Sequence, residues 1–194
     1  MIETIKNWDE SLFIYLNSIH ADFLDPIMYL LTQTWPWIPL YMFLLYLIIK
    51  SHGKSSWWLL ISIGLTILIA DQFTSGFMKP FFERLRPCHD PKWEGIVHNF
   101  GRCGGQFGFA SSHASNSFAI ATFMILALGN YYPNIKWLIL WAVFFSYTRV
   151  YLGVHYPADI IVGGLVGVGA AWISYQTGQK LYHQLHFKRS NQDS

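Results

Sequence analysis

The chain has 194 residues, enough for one domain and too few for a second of ordinary size. Charged residues make up 12% of it, against about 25% in soluble domains, while 53% are hydrophobic and lie in long blocks. That balance argues against a soluble fold and for a membrane protein, and a net charge of +2 with no basic run argues against a nucleic-acid partner.

Residues 1–25 read as an N-terminal helix lying in the membrane surface. Ile5, Trp8, Leu12, Tyr15, Leu16 and Ile19 recur at helical spacing, with charges between them. A soluble N-terminal helix is the plainer alternative. The segment lacks the basic start and continuous apolar core of a cleaved signal peptide and is read as retained. The next apolar stretch, 26–49, is interrupted by Trp35-Pro36-Trp37-Ile38-Pro39. It crosses either as one kinked helix or as a dip followed by a crossing, since a full span needs about 20 apolar residues.

Residues 57–78 are apolar except for Asp71, Gln72 and a few small hydroxyl residues. Residues 114–132 and 135–151 form two helices joined around Pro133-Asn134, and 157–178 form the last span, ended by Gly178 and followed by the polar tail 183–194. The expected fold is all-α: a polytopic membrane helical bundle in a single domain, 1–194, with five transmembrane helices, or six if the N-terminal region also penetrates. Lys50, Lys54, Lys136, Lys180, Lys188 and Arg189 fall on one side, opposed only by Asp193, and that side is read as cytoplasmic. The loop 79–112 then faces outward and contains Cys88 and Cys103. They pair if the compartment is oxidising; otherwise they are two free thiols.

Polar residues gather where the helices end. Lys79, Arg84 and Arg86 close one helix; Ser111, Ser112 and His113 open the next; Arg149 closes another; His155 and Asp159 open the last. In an up-and-down bundle all four ends meet at one face. Cations alone can anchor helices to lipid headgroups, and that reading suffices for Arg84. It does not account for two histidines and a carboxylate at the same level. Lys79, Arg86 and Arg149 suit the oxygens of a phosphate, and the helix start at Ser111 offers backbone N–H groups and a hydroxyl to an anion. His155 and Asp159, four apart with Pro157 at a first helical position, place a carboxylate one turn from an imidazole. Zinc binding by His113, His155 and Asp159 is disfavoured by three nearby cations, so no metal is expected.

These residues fall into three motifs that resemble the type 2 phosphatidic acid phosphatase family, which shares its architecture with vanadium haloperoxidases. Lys79 with Arg86-Pro87 matches the first motif, Ala110-Ser111-Ser112-His113 the second, and Thr148-Arg149 with His155 and Asp159 the third, all between residues 79 and 159. Ala110 stands where the family has proline, Ser112 where it has glycine and Thr148 where it has serine. The resemblance implies a hydrolase acting on lipid phosphates without a cofactor. His155 would be the nucleophile and form a phosphohistidine. Asp159 would orient it, and His113 would act as general acid and base. Lys79, Arg86, Ser111, Ser112 and Arg149 would hold the phosphoryl group. Undecaprenyl diphosphate is the first substrate expected, with phosphatidylglycerophosphate, phosphatidic acid and lipid A phosphates as alternatives. The setting expected is a bacterial inner membrane, with the site facing the periplasm or exterior and membrane lipids as the only other partners. Oligomeric state is not readable from the sequence. A carrier that binds anionic headgroups without cleaving them is the competing class.

Asp71 and Asn116 read as structural polar groups within the spans. Gly163, Gly164, Gly167 and Gly169 read as helix-packing positions, and His89, His98, His183 and His186 as surface residues. Trp8, Trp35, Trp37, Trp57 and Trp58 read as an interfacial belt.

Overall fold

The computed structural model describes residues 2–190 of the chain, with side chains for 3–185. Asp193 lies outside the described residues, and His186, Lys188 and Arg189 are described as backbone only. The helices in chain order are α1 (Ile2–Ser18), α2 (Asp25–Leu31), α3 (Ile38–His52), α4 (Ser56–Asp71), α5 (Lys79–Phe82), α6 (Ser112–Leu128), α7 (Leu138–Tyr151) and α8 (Pro157–Ser190). No strand occurs among the described residues; a single antiparallel bridge pairs Leu85 with Phe107.

The run Trp35–Phe82 is 48 residues long and apolar, or about 70 Å if straight, more than twice a bilayer core. Gly53 prevents that. Its φ of +51° is a left-handed conformation that only glycine adopts without strain, so α3 and α4 turn back on each other. Between 26 and 49 the chain forms two separate helices, α2 and α3, divided by the 3-10 turn Trp35–Trp37 with Pro36 inside it. Pro39 in the first turn of α3 needs no backbone donor there.

Beyond Asp71 the hydrogen bonding of α4 widens into a π-helical stretch, Gln72–Met78, before tightening again at α5. Hydrophobic spacing gives no sign of this stretch, which rotates the side chains that approach Lys79. α8 begins with Pro157 and carries Asp159 in its first turn, where a carboxylate complements the helix dipole. It does not stop at Gly178 but continues to Ser190, 34 residues in all. Gly178 instead lies against Ser62 and Trp58 of α4, where a Cβ would collide with the Ser62 hydroxyl.

α6 is the central helix, packed against α4, α7 and most extensively α8. Gly163 and Gly167 permit that last contact: a Cβ at either would meet the backbone of Ser111 or Ser115. The main core joins α3, α4, α6, α7 and α8 through Leu44, Ile48, Leu59, Phe123, Met124, Leu128, Ala142 and Ala171. Trp58 belongs to this core rather than to an interfacial belt: it is buried and stacks on Tyr182 at 5.6 Å. Trp37 likewise packs edge-on against Trp141 and donates its indole N–H to the Leu31 carbonyl at 2.8 Å. Trp8, Trp35 and Trp57 are exposed.

Large apolar side chains cover the outside of the bundle, among them Phe43, Tyr46, Ile61, Leu65, Leu68, Phe73, Phe77, Leu140, Ile161, Leu165 and Trp172. A coat of that extent is stable against lipid and not against water. α1 follows the same logic from the other side. Ile5, Trp8, Leu12 and Tyr15 point outward, while Asp9, Glu10, Phe13 and Asn17 are buried against the protein. The Asn17 amide nitrogen lies 2.9–3.1 Å from the carbonyls of His98, Val150 and Tyr151, and its oxygen accepts the His98 N–H at 2.9 Å.

Candidate active site

The four helix ends meet around one cavity of about 760 Å³. Lys79, Arg86, Ser112, His113, Arg149 and His155 line one part of it, with Asp71, Ser75 and Asn116 beside them. Leu44, Leu45, Leu60, Ile63, Ile67, Ile120 and Met124 line the rest, between α3, α4 and α6. A second chamber of about 380 Å³ shares His113 and Arg149 with the first and is otherwise walled by Tyr29, Gln33, Phe100, Arg102 and Leu152.

His155 sits in the turn between α7 and α8 and is wholly buried. Its Nδ1 lies 3.2 Å from Asp159 Oδ2, the i,i+4 contact that one helical turn allows. An ionised carboxylate can only accept, so Nδ1 carries the proton and Nε2 keeps its lone pair. Burial, and after it the positive charges of Arg86, Arg149 and Lys79, hold the imidazole well below its usual range, so the ring is neutral. Asp159 does not line the cavity. It is fully buried, and Oδ2 also accepts the Tyr156 N–H at 3.1 Å. The His113 ring stacks on Phe145 with centroids 5.7 Å apart and faces both chambers.

The cations are held by neutral partners, and among the described residues none of the three is in an ion pair. Arg86 donates to the carbonyls of Phe107 (3.2 Å) and Cys103 (3.0 Å). Arg149 donates from Nη1 to the Thr32 hydroxyl at 2.9 Å, while its buried Nε has no partner among the described residues. Lys79 reaches Ser112 Oγ at 2.8 Å, and Thr74 and Ser75 from the π-helical stretch meet the same hydroxyl at 3.0 and 2.7 Å.

The two adjacent serines divide their work. Ser111 is fully buried, and its hydroxyl caps α6 by accepting the Ala114 N–H at 3.5 Å. The hydroxyl on the cavity wall is that of Ser112. Thr74, Ser75 and Thr32 had no place in the sequence-based site. The signal for Thr74 and Ser75 is a run of small hydroxyl residues within four or five positions of Lys79; Thr32, far away in sequence, leaves none.

Cys88 and Cys103 form a disulfide across the loop between α5 and α6 with Cα atoms 6.1 Å apart, next to the carbonyl that holds Arg86. Asp71 accepts from Asn116 at 3.3 Å, tying α4 to α6. His98 is not a free surface residue: its Nε2 meets Asp25 Oδ1 at 2.9 Å, where Tyr151 also donates at 2.8 Å. Arg84 is not a headgroup anchor. It donates to Asp159 Oδ1 at 3.0 Å and to Asp9 Oδ2 at 2.6 Å. Among the described residues no group of three or more His, Cys, Asp and Glu side chains is placed to share a metal.

A bundle of this form, with two imidazoles and three cations around one cavity, defines a membrane hydrolase of phosphorylated lipids. Residues 55–183 match the model of the PAP2 superfamily, and the chain belongs to that superfamily as a lipid phosphatase of its type. It is 38% identical over 188 residues to the lipid A 4'-phosphatase of Bacteroides thetaiotaomicron, covering 95% of this chain and 83% of the relative. It is 30% identical over 149 residues to an undecaprenyl-diphosphatase of Sulfolobus acidocaldarius, covering 74% and 62%. The crystal structure of Aquifex aeolicus LpxE superposes with a TM-score of 0.63 at 26% identity, covering 86% of this chain and 93% of that one.

Proposed function

We propose that the chain removes a phosphate monoester from lipid A at the 4' position. The observation that carries this reading is the continuity of the 760 Å³ cavity, cationic at Lys79, Arg86 and Arg149 and apolar between α3, α4 and α6. A phosphate bound among the cations thereby keeps its acyl chains in an oily slot. Lipid A replaces undecaprenyl diphosphate as first choice because the lipid A 4'-phosphatase match is both stronger and longer than the undecaprenyl-diphosphatase match.

His155 Nε2 attacks the phosphorus, the ester P–O bond breaks, and His113 gives its proton to the leaving oxygen. A water molecule then loses a proton to His113 and attacks the phosphohistidine; the P–N bond breaks and orthophosphate leaves. Lys79, Arg86, Arg149 and the N–H groups at the start of α6 hold the three phosphoryl oxygens as charge builds on them. The Ser112 hydroxyl adds a further donor. Cleavage distinguishes this reading from a headgroup carrier, which has no use for a buried imidazole oriented by a carboxylate.

The whole chain serves as one domain, with α3, α4, α6, α7 and α8 as five crossings and α1 and α2 at the outer face. Lys50, Lys54, Lys136 and Lys180 mark the cytoplasmic side, which turns the site toward the periplasm or exterior of a bacterial inner membrane. The test is phosphate release in nanodiscs from lipid A bisphosphate, undecaprenyl diphosphate, phosphatidylglycerophosphate and phosphatidic acid, with mass spectrometry of the remaining lipid A monophosphate. Lipid A is expected to be hydrolysed fastest, leaving the 1-phosphate. A faster rate on undecaprenyl diphosphate, or loss of the 1-phosphate instead, overturns the assignment.

A further inference from the structure

We propose that Arg84 is a positioning residue for the His155–Asp159 pair, and that α1 completes the active site by holding Arg84 through Asp9. The inference rests on His155 as nucleophile. Asp159 Oδ2 is occupied by His155 Nδ1 and the Tyr156 N–H, and Oδ1 by Arg84 Nη1 at 3.0 Å. A carboxylate anchored at both oxygens cannot turn about its last torsion, so the imidazole it holds cannot turn either.

Arg84 is fixed just as closely. Its Nη2 meets Asp9 Oδ2 at 2.6 Å, and its guanidinium lies 4.0 Å from the centroid of the Tyr156 ring. The Tyr156 hydroxyl is in turn bonded by the Trp93 indole at 2.8 Å. Asp9 closes the ring: its other oxygen accepts the N–H of Ala158, the second residue of α8, at 2.7 Å. From Asp159 through Arg84 and Asp9 the contacts return to the helix that carries Asp159. Three elements distant in sequence thus set one torsion.

Charge points the same way. One guanidinium serves two buried carboxylates, and neither Arg84 nor Asp9 lines the cavity. Lys79, Arg86 and Arg149 therefore remain for the substrate, while Arg84 acts only through Asp159. A residue with that role changes the rate of chemistry and leaves substrate affinity alone. A substrate contact changes affinity, and a merely structural residue changes only how much protein folds.

The test uses the full chain in nanodiscs, with lipid A bisphosphate and undecaprenyl diphosphate each as probe, and compares Arg84→Met, Arg84→Lys, Asp9→Asn and His155→Ala. Arg84→Met is expected to lower kcat by about 10- to 100-fold, as loss of such outer partners commonly does, with KM essentially unchanged. Arg84→Lys recovers part of the loss, because a single ammonium reaches one carboxylate but does not span two. Asp9→Asn keeps an acceptor for Ala158 and gives a smaller loss of the same kind. Unchanged kcat in folded Arg84→Met overturns the proposal, as does a raised KM with kcat retained. If Arg84→Met does not fold, Asp9→Asn decides, and unchanged kcat there overturns it. Turnover by His155→Ala removes the nucleophile itself. Inactive His155→Ala beside fully active Arg84 variants removes only the positioning role.

Discussion

At the end of the bundle that carries His155, the buried polar residues Asp9, Asn17, Asp25, Thr32, Arg86, Arg149 and Asp159 are joined by ion pairs and hydrogen bonds, beside small apolar clusters around Phe13 and Tyr151. Toward the other end the large buried side chains are Leu44, Ile48, Leu59, Phe123, Met124 and Leu128, held by packing. The polar end holds atoms at defined distances because each bond there has a direction. The apolar end supplies cohesion and tolerates shape changes. Chemistry at one end and stability at the other should therefore be separable by mutation.

The sharpest separation is His155→Ala, which removes the proposed nucleophile and is expected to lower turnover by more than about 10⁴-fold. Its melting temperature in detergent should stay within a few degrees of the parent, and substantial turnover by the folded variant would refute the assigned role. Phe123→Ala is the mirror experiment. Phe123 is fully buried and packs on Tyr175 at 5.7 Å, so its loss should cost about 3–5 kcal/mol of stability. Turnover per folded molecule, measured below the new melting point, should be retained. A fall in kcat there would show that the ends are coupled.

Cys88→Ser opens a loop with a sequence separation of 15 at the polar end, where chain entropy predicts about 3 kcal/mol of destabilisation. Thermal melting with and without reductant measures it, and a reductant effect that persists in the variant would contradict it. The smallest effect is on pH. The depressed His155 remains neutral in the folded protein while its unfolded counterpart takes a proton below about pH 6.5. Stability from this group is thus complete above that pH and lost as pH falls through the window beneath it. The acid limb of kcat/KM should lie in the same window, and a limb near pH 8 would contradict a neutral His155.

Much of the site was legible because helix alternation carries information. Lys79, Arg86, His113, Arg149 and His155 each stand at a helix end, and the up-and-down order alone sends those ends to one face. What was illegible depended on rotation or on long range. Ser111 and Ser112 are neighbours, and only the phase of α6 decides which hydroxyl caps and which lines the cavity. The π-helical stretch Gln72–Met78 leaves no mark in hydrophobic spacing. Asp9 lies 75 residues from Arg84 on a helix whose spacing does not say which of its faces meets the rest of the protein. Gly178 has the composition of a helix terminator and the surroundings of a packing contact.

Asn17 gathers three carbonyl oxygens around one nitrogen and offers its single oxygen to one N–H. Conversion of that amide to the acid, as spontaneous deamidation would do, alters almost nothing in outline and reverses the sign of the contact with every one of those carbonyls. The seam between α1, the loop between α5 and α6 and the close of α7 is therefore guarded by a pattern of donors, and a side chain of the same shape cannot stand in for it.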